Sequence, residues 1–275
     1  MDEKAVILAR GLGTRMRHTV RGVTLDAKTH ALAEHGTKMM IPVGGAPFLD
    51  YSLQNVIHAG FTQICLVIGP RSTRLRRHYA QIAKRLPHLE ISFAIQRLPL
   101  GTADAVLSAK AFVGSDAFVM LNGDNVYSAH TLRLLRGQQP GGCYCVGFEK
   151  DGLLDGGAFD EDRLRQFAVL QLDEERNLVR IQEKPDDLQP DPSGSPVLIS
   201  MNLFKLTPHI FTACERISPH PVRREYEITS AVQYLVDHHL VPVHVLAVRD
   251  GVVDLTYSHD IPRVRAALQN RKLDF

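Results

Sequence analysis

Two glycines and an arginine follow an apolar run close to the start of the chain. The run 5–9 is followed by Arg10 and then by Gly11-Leu12-Gly13-Thr14-Arg15. Glycines let the backbone turn sharply and approach a ligand, and successive N–H groups in such a turn form an anion-binding nest. The guanidinium of Arg15 is a fork of donors that suits phosphate. The segment therefore indicates a phosphate-binding loop, and the alternative reading is a tight strand-to-helix turn without a ligand.

Two aspartates are candidate metal ligands. Asp124 follows the apolar run 117–121, and Asp254 lies in the stretch Val252-Val253-Asp254-Leu255-Thr256. Two carboxylates, together with phosphate oxygens and waters, are a ligand set that holds Mg²⁺. The two residues are 130 positions apart. The spacing therefore leaves open whether they meet, and each one alone is an ordinary loop residue.

Further polar residues stand at the ends of apolar runs. Lys38 precedes such a run, and its ammonium would be a compact charge beside a triphosphate, although an isolated lysine is usually a surface residue. The amide of Gln96 donates and accepts at once, which suits the edge of a nucleobase. Gly101 permits close backbone approach, and the alternative is an ordinary helix start with Thr102 as its N-cap.

A second group of polar residues lies in the other half of the chain. Glu183 and Lys184 place an acceptor beside a cation at the end of an apolar run, and Arg223 precedes a helical pattern. Together they could hold a phosphorylated, hydroxyl-rich substrate. The alternative is a surface ion pair and an unrelated helix start.

Hydrophobic periodicity predicts the elements that position these residues. In the first half we expect strands at 5–9, 64–68, 91–95 and 117–121, and helices at 49–59, 74–86 and 103–111. This alternation predicts βαβ units and a mostly parallel sheet, with ligands at the carboxyl ends of the strands. In the second half we expect strands at 144–148, 167–172, 178–182, 197–204 and 241–248, and helices at 227–236 and 261–270. The segment 18–37 fits neither period and is predicted to be a long loop.

Composition narrows the class of protein. The 275 residues carry 32 basic and 30 acidic side chains, a net charge of +2, which argues against a nucleic-acid-binding surface. No apolar stretch approaches 18 residues, so we expect no membrane span. Four cysteines without a disulfide or zinc pattern, and no secretory signal, predict a reduced, cytoplasmic protein. Cys65, within an apolar run, is expected in the core.

These segments, in this order, resemble the sugar-1-phosphate nucleotidylyltransferases, close to the glucose-1-phosphate thymidylyl- and uridylyltransferase type. The resemblance covers the chain from Ala5 to about Asp260. It implies a Rossmann-like mixed, mostly parallel sheet flanked by helices, with a smaller β-rich sugar-binding part. The whole chain, 1–275, would be one domain, with a nucleotide-binding half at about 1–140 and a sugar-phosphate-binding half at about 141–275.

The resemblance also implies a reaction. An NTP and a sugar-1-phosphate would give an NDP-sugar and pyrophosphate by in-line attack on the α-phosphorus, with Mg²⁺ as cofactor and no protein nucleophile. Arg15 and Lys38 match the catalytic cations, and Asp124 and Asp254 match the metal carboxylates. The nucleotide-binding positions correspond to Ala9, Gly11, Gly13, Thr14, Gln96, Pro99, Gly101 and Thr102. The sugar-phosphate-binding positions correspond to Glu183, Lys184, Asn202 and Arg223.

Several positions depart from the pattern of the family. Arg10 stands where the family has alanine or glycine, Ala168 stands where a glycine is common, and Asn202 falls in a stretch that is usually Gly-Ile-Tyr. The segment between Arg15 and Lys38 is longer than usual.

Because the sugar-contact positions change while the catalytic ones stay, we expect an altered acceptor, such as a cyclitol or modified-sugar phosphate. The alternatives are an ADP-glucose-type adenylyltransferase and a non-catalytic nucleotide-sugar sensor. The NTP and the oligomeric state, including a homo-oligomer, stay open.

Overall fold

The structure is a computed structural model, and it describes residues 4–11, 16, 38–156, 159–183, 188 and 195–275. Its strands are β1 (Lys4–Leu8), β2 (Pro42–Val43), β3 (Ala46–Pro47), β4 (Gln63–Ile68), β5 (Glu90–Ile95), β6 (Phe118–Asn122), β7 (Asn125–Val126), β8 (Cys143–Glu149), β9 (Ala168–Leu172), β10 (Leu178–Gln182), β11 (Leu198–Leu206), β12 (Val243–Val248) and β13 (Val253–Asp254). Its helices are α1 (Phe48–His58), α2 (Thr73–Arg85), α3 (Thr102–Ser108), α4 (Lys110–Val113), α5 (Ala129–Arg136), α6 (Lys150–Asp155), α7 (Glu161–Leu164), α8 (His209–Arg216), α9 (Ile228–Asp237) and α10 (Ile261–Leu268), with 3-10 turns at Lys38–Met40 and Ser258–Asp260.

The first half of the chain forms the parallel part of the main sheet. The strands lie in the order β5-β4-β1-β6, and each neighbouring pair is parallel. Residues 5–8 of β1 are all buried, because helices cover both faces of the sheet. The carboxyl ends of these four strands share one edge, which we call the carboxyl edge. The predicted α/β class is therefore confirmed.

Strand β11 joins this parallel part to the second half of the chain. It runs antiparallel to β6 through Leu203–Leu206, and it also pairs with β8 and β9. Its register with β8 shifts between Ser200 and Phe204, where Asn202 has a φ of +56°. Asparagine is among the few residues that tolerate this left-handed region. The irregularity separates the part of β11 that pairs with β9 from the part that pairs with β6.

The core consists of two apolar clusters, one on each face of the sheet. One face packs against α1, α2, α5 and α10, and the other packs against α3, α8 and α9. The four cysteines are free and buried. Burial raises the pKa of the Cys65 thiol to about 12, which keeps it neutral, as expected for a residue of the core.

One local prediction is wrong, and one alternative reading does not hold. The single helix expected at 103–111 is two helices, because α3 ends at Ser108 and Ala109, at φ −91° and ψ 0°, precedes α4. Thr102 does not cap α3, whose N-cap position is Gly101. Its Oγ1 instead accepts a hydrogen bond of 2.8 Å from the backbone N–H of Ile228, at the start of α9. A contact with a helix 126 positions away thus replaces the local cap.

Two further expectations meet the structure differently. The loop predicted at 18–37 lies outside the described residues. In the described ranges, no helix combines the length and the apolar character needed to cross a membrane.

The central position of β11 leads to a stability prediction. Leu203 is fully buried and lies opposite Leu121 of β6. Leu203→Ala should lower the free energy of unfolding by about 2–5 kcal/mol, because it removes buried methyl groups and leaves a cavity. Urea denaturation measures this change. Val222→Ala is the matched control, since Val222 is 83% exposed and should lose less than about 0.5 kcal/mol. Equal changes in the two variants would contradict the placement of β11 in the core.

Candidate functional site

Lys38 and Asp124 form an ion pair at the carboxyl edge. Asp124 follows β6, and Lys38 lies in the 3-10 turn Lys38–Met40. The Lys38 Nζ lies 2.5 Å from Asp124 Oδ2, and the exposed fractions of the two side chains are 8% and 22%. This partial burial weakens solvent screening of the pair. The structure thus brings together a lysine and a carboxylate that sequence analysis assigned to separate roles.

Gly11 makes room for this lysine. A Cβ atom at Gly11 would lie 2.8 Å from the Cε atom of Lys38, which is closer than real side-chain contacts allow. A glycine here therefore lets the aliphatic part of Lys38 pack on the backbone after β1. Ala9, in the same segment, is buried, and its N–H donates to the carbonyl of Val67 at the end of β4.

A short antiparallel ribbon brings Asp254 to Asp124. Strands β7 and β13 pair in register, with Asp254 opposite Asn125. The N–H of Leu255 donates to the carbonyl oxygen of Asp124 at 2.9 Å. The two aspartates are 130 positions apart in the chain, and the ribbon places them beside each other.

Asp254 is a buried carboxylate with three hydrogen-bond donors. Its Oδ2 accepts from the Asn125 amide at 3.1 Å and from the Thr256 hydroxyl at 3.0 Å. Its Oδ1 accepts from Arg163 Nη2 at 2.5 Å. Burial raises the pKa of Asp254 to about 6, and the negative charge of Asp124 adds to the rise, while Arg163 opposes it.

Arg163 is a site residue that sequence analysis missed. Its guanidinium stacks on the ring of Tyr257, 4.5 Å from the centroid, and it also lies 5.6 Å from the ring of Phe167. The stacking orients the cation toward Asp254. The charged segment around α7 carries no motif, so no sequence signal could have marked one of its arginines. Each candidate metal carboxylate is therefore paired with a cation, Asp124 with Lys38 and Asp254 with Arg163.

The donor set is compatible with a divalent cation. Among the described residues, no group of three or more His, Cys, Asp or Glu side chains could hold a metal ion. A cation at Asp124 and Asp254 would therefore complete its shell with substrate or water oxygens, as Mg²⁺ commonly does. It would also relieve the repulsion between the two carboxylates that helps to raise the pKa of Asp254.

Gln96 and Gly101 lie together at the end of β5. The Gln96 Nε2 donates to the carbonyl of Gly101 at 2.9 Å and to Asp104 Oδ2 at 2.8 Å. Gly101 has a φ of +115°, and a Cβ atom there would lie 2.4 Å from the carbonyl oxygen of Tyr226. The close approach that requires this glycine is therefore made by the chain itself. Asp104 is a second residue that sequence analysis missed.

The predicted sugar-phosphate-binding residues are brought together in part. Arg223 Nη2 lies 3.8 Å from Glu183 Oε2 and donates to Glu227 Oε2 at 2.6 Å. Asn202 is linked to the carboxylate region through its neighbour Met201, whose carbonyl accepts from the Tyr127 hydroxyl at 2.5 Å. Burial raises the pKa of Tyr127, and the charges of Asp124 and Asp254 add to the rise, which reflects its place beside them.

Of the six remaining candidate site residues, two lie within the described residues and four lie outside them. Pro99 lies exposed in the loop between β5 and α3. Thr102 contacts the start of α9, as described above. Four candidates lie outside the described residues, namely Gly13, Thr14, Arg15 and Lys184.

Comparison with solved structures identifies the same fold elsewhere. A structure from Bacillus anthracis, described as a glucose-1-phosphate thymidylyltransferase in complex with sucrose, superposes with a TM-score of 0.71 over 99% of this chain and 97% of that one, at 18% identity. A UDP-glucose pyrophosphorylase complexed with UDP-glucose gives a TM-score of 0.66 over 97% of each chain, at 17% identity. At these identities the likeness shows the fold alone.

Comparison of sequences identifies the class of protein as a nucleotidyltransferase. A model of the nucleotidyl transferase family matches residues 4–250, and the chain belongs to this family. The low-salt glycan biosynthesis nucleotidyltransferase Agl11 of Haloferax volcanii is 31% identical over 86% of this chain. A glucose-1-phosphate thymidylyltransferase of Streptomyces antibioticus is also 31% identical over 86% of it. The chain spans 60% and 58% of the lengths of these two relatives. The family generally uses a divalent metal.

The raised pKa of Asp254 gives a pH prediction for the protein without metal. A carboxyl group of the unfolded chain titrates near about pH 4, so between about pH 4 and 6 the folded state holds a proton that the unfolded state has lost. The contribution of Asp254 to the free energy of unfolding should therefore fall over this range, by on the order of 2 kcal/mol.

Asp254→Asn isolates this contribution, because the amide has no such titration. Urea unfolding of both proteins in EDTA at pH 4 and pH 7 should show that wild type loses stability relative to the variant as the pH rises. If the difference in the free energy of unfolding between the two proteins is the same at pH 4 and pH 7, Asp254 is not buried beside another negative charge.

Proposed function

We propose that this protein transfers a nucleotidyl group from an NTP to a sugar-1-phosphate or a cyclitol-1-phosphate and releases pyrophosphate. The observation that carries the proposal is the convergence of Lys38, Asp124 and Asp254 at the carboxyl edge. Ligands of open α/β sheets bind at this edge. We propose further that 1–275 is one domain, with the nucleotide in its first half and the acceptor in its second.

The reaction needs positioning and charge neutralisation more than a nucleophilic side chain. An oxygen of the acceptor phosphate forms a bond to the α-phosphorus of the NTP, and the bond from the α-phosphorus to the pyrophosphate oxygen breaks. Lys38 and Arg15 hold the triphosphate, and their charges stabilise the leaving pyrophosphate. The cysteines fit this reading, because burial raises the pKa of Cys65, Cys145 and Cys214 to about 12 and leaves them as unreactive thiols.

Asp124 and Asp254 would hold Mg²⁺. The bound ion would polarise the α-phosphate and neutralise charge on the phosphate oxygens. Arg163, stacked on Tyr257, keeps Asp254 ionised near neutral pH by opposing the rise in its pKa. Asn125 and Thr256 fix the orientation of the same carboxylate through Oδ2. These residues are positioning residues for the ion rather than ligands.

The nucleotide is held along the segments after β1 and β5. Ala9 and Gly11 form the wall after β1, and Gln96, Pro99, Gly101 and Thr102 form the wall after β5. Gly13 and Thr14 also bind the nucleotide. Gln96 is buried, and its two hydrogen bonds fix the amide plane. A fixed amide reads a base edge at a lower entropic cost than a mobile one.

The acceptor is held by the second half of the chain. Glu183 accepts from substrate hydroxyls, and Lys184 and Arg223 bind the acceptor phosphate. Asn202 keeps the left-handed backbone typical of glycine but adds an amide side chain, and Ala168 adds a methyl group in β9. Both additions alter the acceptor side of the site, which favours an acceptor other than plain glucose-1-phosphate.

The proposal is tested by measuring pyrophosphate release. Purified protein with Mg²⁺ is screened with UTP, dTTP, ATP and GTP against a panel of sugar and cyclitol 1-phosphates. We expect release with at least one pair, and faster release with a cyclitol or modified-sugar phosphate than with glucose-1-phosphate. Fastest release with glucose-1-phosphate would overturn the altered acceptor, and no release with any pair would overturn the transfer reaction.

Asp124→Asn tests the assignment of the carboxylates. The variant removes the negative charge that would hold the metal ion and that pairs with Lys38. The kcat/KM for the best pair of substrates should therefore fall by roughly 100-fold or more, as it does when other preorganised charges are removed. Asp155→Asn is the matched control, because Asp155 forms an exposed ion pair with Arg249 at 2.8 Å and should change activity less than about twofold. Full activity of Asp124→Asn would rule out the metal assignment.

A further inference from the structure

The segment between α8 and α9 carries Arg223, the cation proposed above for the acceptor phosphate. Its side chain is 27% exposed, so a ligand can reach it. The carboxylate of Glu227 accepts from Nε and, at 2.6 Å, from Nη2. Within the described part of the chain, this arrangement leaves the donors of Nη1 for an anion. Glu227 therefore orients the end of the side chain, while the backbone that carries the side chain needs a support of its own.

Core packing gives that backbone little support. The side chain of Val222 is 83% exposed, and Arg224 and Glu225 are exposed as well. Arg224 has a φ of +58°, in the left-handed region that residues other than glycine rarely adopt. A turn with exposed side chains and an unfavourable backbone conformation opens easily unless hydrogen bonds hold it closed.

His220 supplies these hydrogen bonds. Its Nδ1 accepts from the backbone N–H of Val222 and from that of Arg223, each at 3.2 Å. Its own N–H donates to the carbonyl of Glu225, and its carbonyl accepts from the N–H of Arg224, each at 2.8 Å. Since both partners of Nδ1 are donors, Nδ1 must carry a lone pair and no proton. His220 therefore closes the turn with its side chain as well as with its backbone.

The other end of the turn is fixed to the segment after β5. The N–H of Tyr226 donates to the carbonyl of Leu100 at 2.7 Å, and its carbonyl accepts from the N–H of Ala103 at 2.9 Å. Neither of these bonds involves His220. The backbone of Arg223 thus lies between two supports, one at Tyr226 and one at His220.

We propose that His220 is a positioning residue for the acceptor. Its Nδ1 holds the backbone of Arg223, so that the guanidinium is already ordered when the acceptor phosphate arrives. An ordered cation binds an anion at a lower entropic cost than one that must first be immobilised. The inference rests on the proposed function, since it requires an acceptor phosphate at Arg223. The resemblance to the family supplies Arg223 but not His220.

Two substitutions of His220 separate this role from a general effect on the fold. His220→Ala removes the acceptor atom. His220→Asn keeps one, because asparagine Oδ1 accepts from backbone N–H groups two or three residues further along the chain. His88→Ala is the matched control, since His88 is an exposed histidine before β5, at the edge of the sheet opposite the carboxyl edge.

Steady-state kinetics use the best pair of substrates from the pyrophosphate-release screen. His220→Ala should raise the KM for the acceptor by about fivefold or more, because two hydrogen bonds are lost, while the KM for the NTP and kcat change less than about twofold. His220→Asn and His88→Ala should stay within about twofold of wild type in all three constants. An equal rise in both KM values, an unchanged acceptor KM in His220→Ala, or a defect in His220→Asn equal to that of His220→Ala would overturn the proposal.

Hydrogen–deuterium exchange distinguishes failure of this inference from failure of the proposed function. In His220→Ala the amides of Val222 and Arg223 should exchange about fivefold or more faster than in wild type, while exchange in β6 stays unchanged and shows that the variant is folded. Faster exchange with an unchanged acceptor KM would overturn the role of His220 and leave the transfer reaction standing. Absence of pyrophosphate release from every pair would overturn the proposed function and the acceptor role together, and the exchange rates would still decide whether His220 holds the turn.

Discussion

The pairing of β7 with β13 is the constraint on which the candidate site depends. It brings two carboxylates of like charge, Asp124 and Asp254, to the same edge of the sheet. Placing two such charges together in a partly buried region is unfavourable unless cations compensate them. Lys38 and Arg163 provide that compensation, one for each carboxylate. The site therefore consists of two adjoining ion pairs. A divalent cation would likewise compensate the negative charges of the two carboxylates.

Backbone features away from the carboxylates make this arrangement feasible. Gly11 leaves space for the aliphatic part of Lys38, which lets the ammonium reach Asp124. The irregularity in β11 at Asn202 lets the sheet fork, so that β9 and β6 both pair with one strand. Tyr127 connects the two regions through its hydrogen bond to Met201. The first and second halves of the chain are thus linked next to the carboxylates.

The departures from the family pattern fall into two kinds. Asn202 keeps the backbone conformation that glycine would adopt, and so it preserves the fold while it changes the side chain. Arg10 introduces a long cation where a small residue is usual, and it is accommodated because Gly69 leaves space beneath its Nε atom. Both changes lie beside the site rather than in the core. They are therefore expected to alter which ligands bind more than whether the chain folds.

The sequence by itself determined the alternation of strands and helices in the first half and the exit of Asp124 from β6. These features follow from local hydrophobic periodicity and turn chemistry, which act over a few residues. It also marked Gly11 and Lys38 separately, without showing that one packs on the other.

Only the tertiary structure decided which distant side chains meet. The approach of Asp254 to Asp124, the ion pair of Arg163 and the contact of Thr102 with α9 each join segments far apart in the chain. Periodicity and spacing carry no information on such contacts, because they are fixed by how the sheet and its helices pack. Within the ranges that the structure describes, the same packing engages both amide hydrogens of Gln96 and leaves Nη1 of Arg10 without a partner.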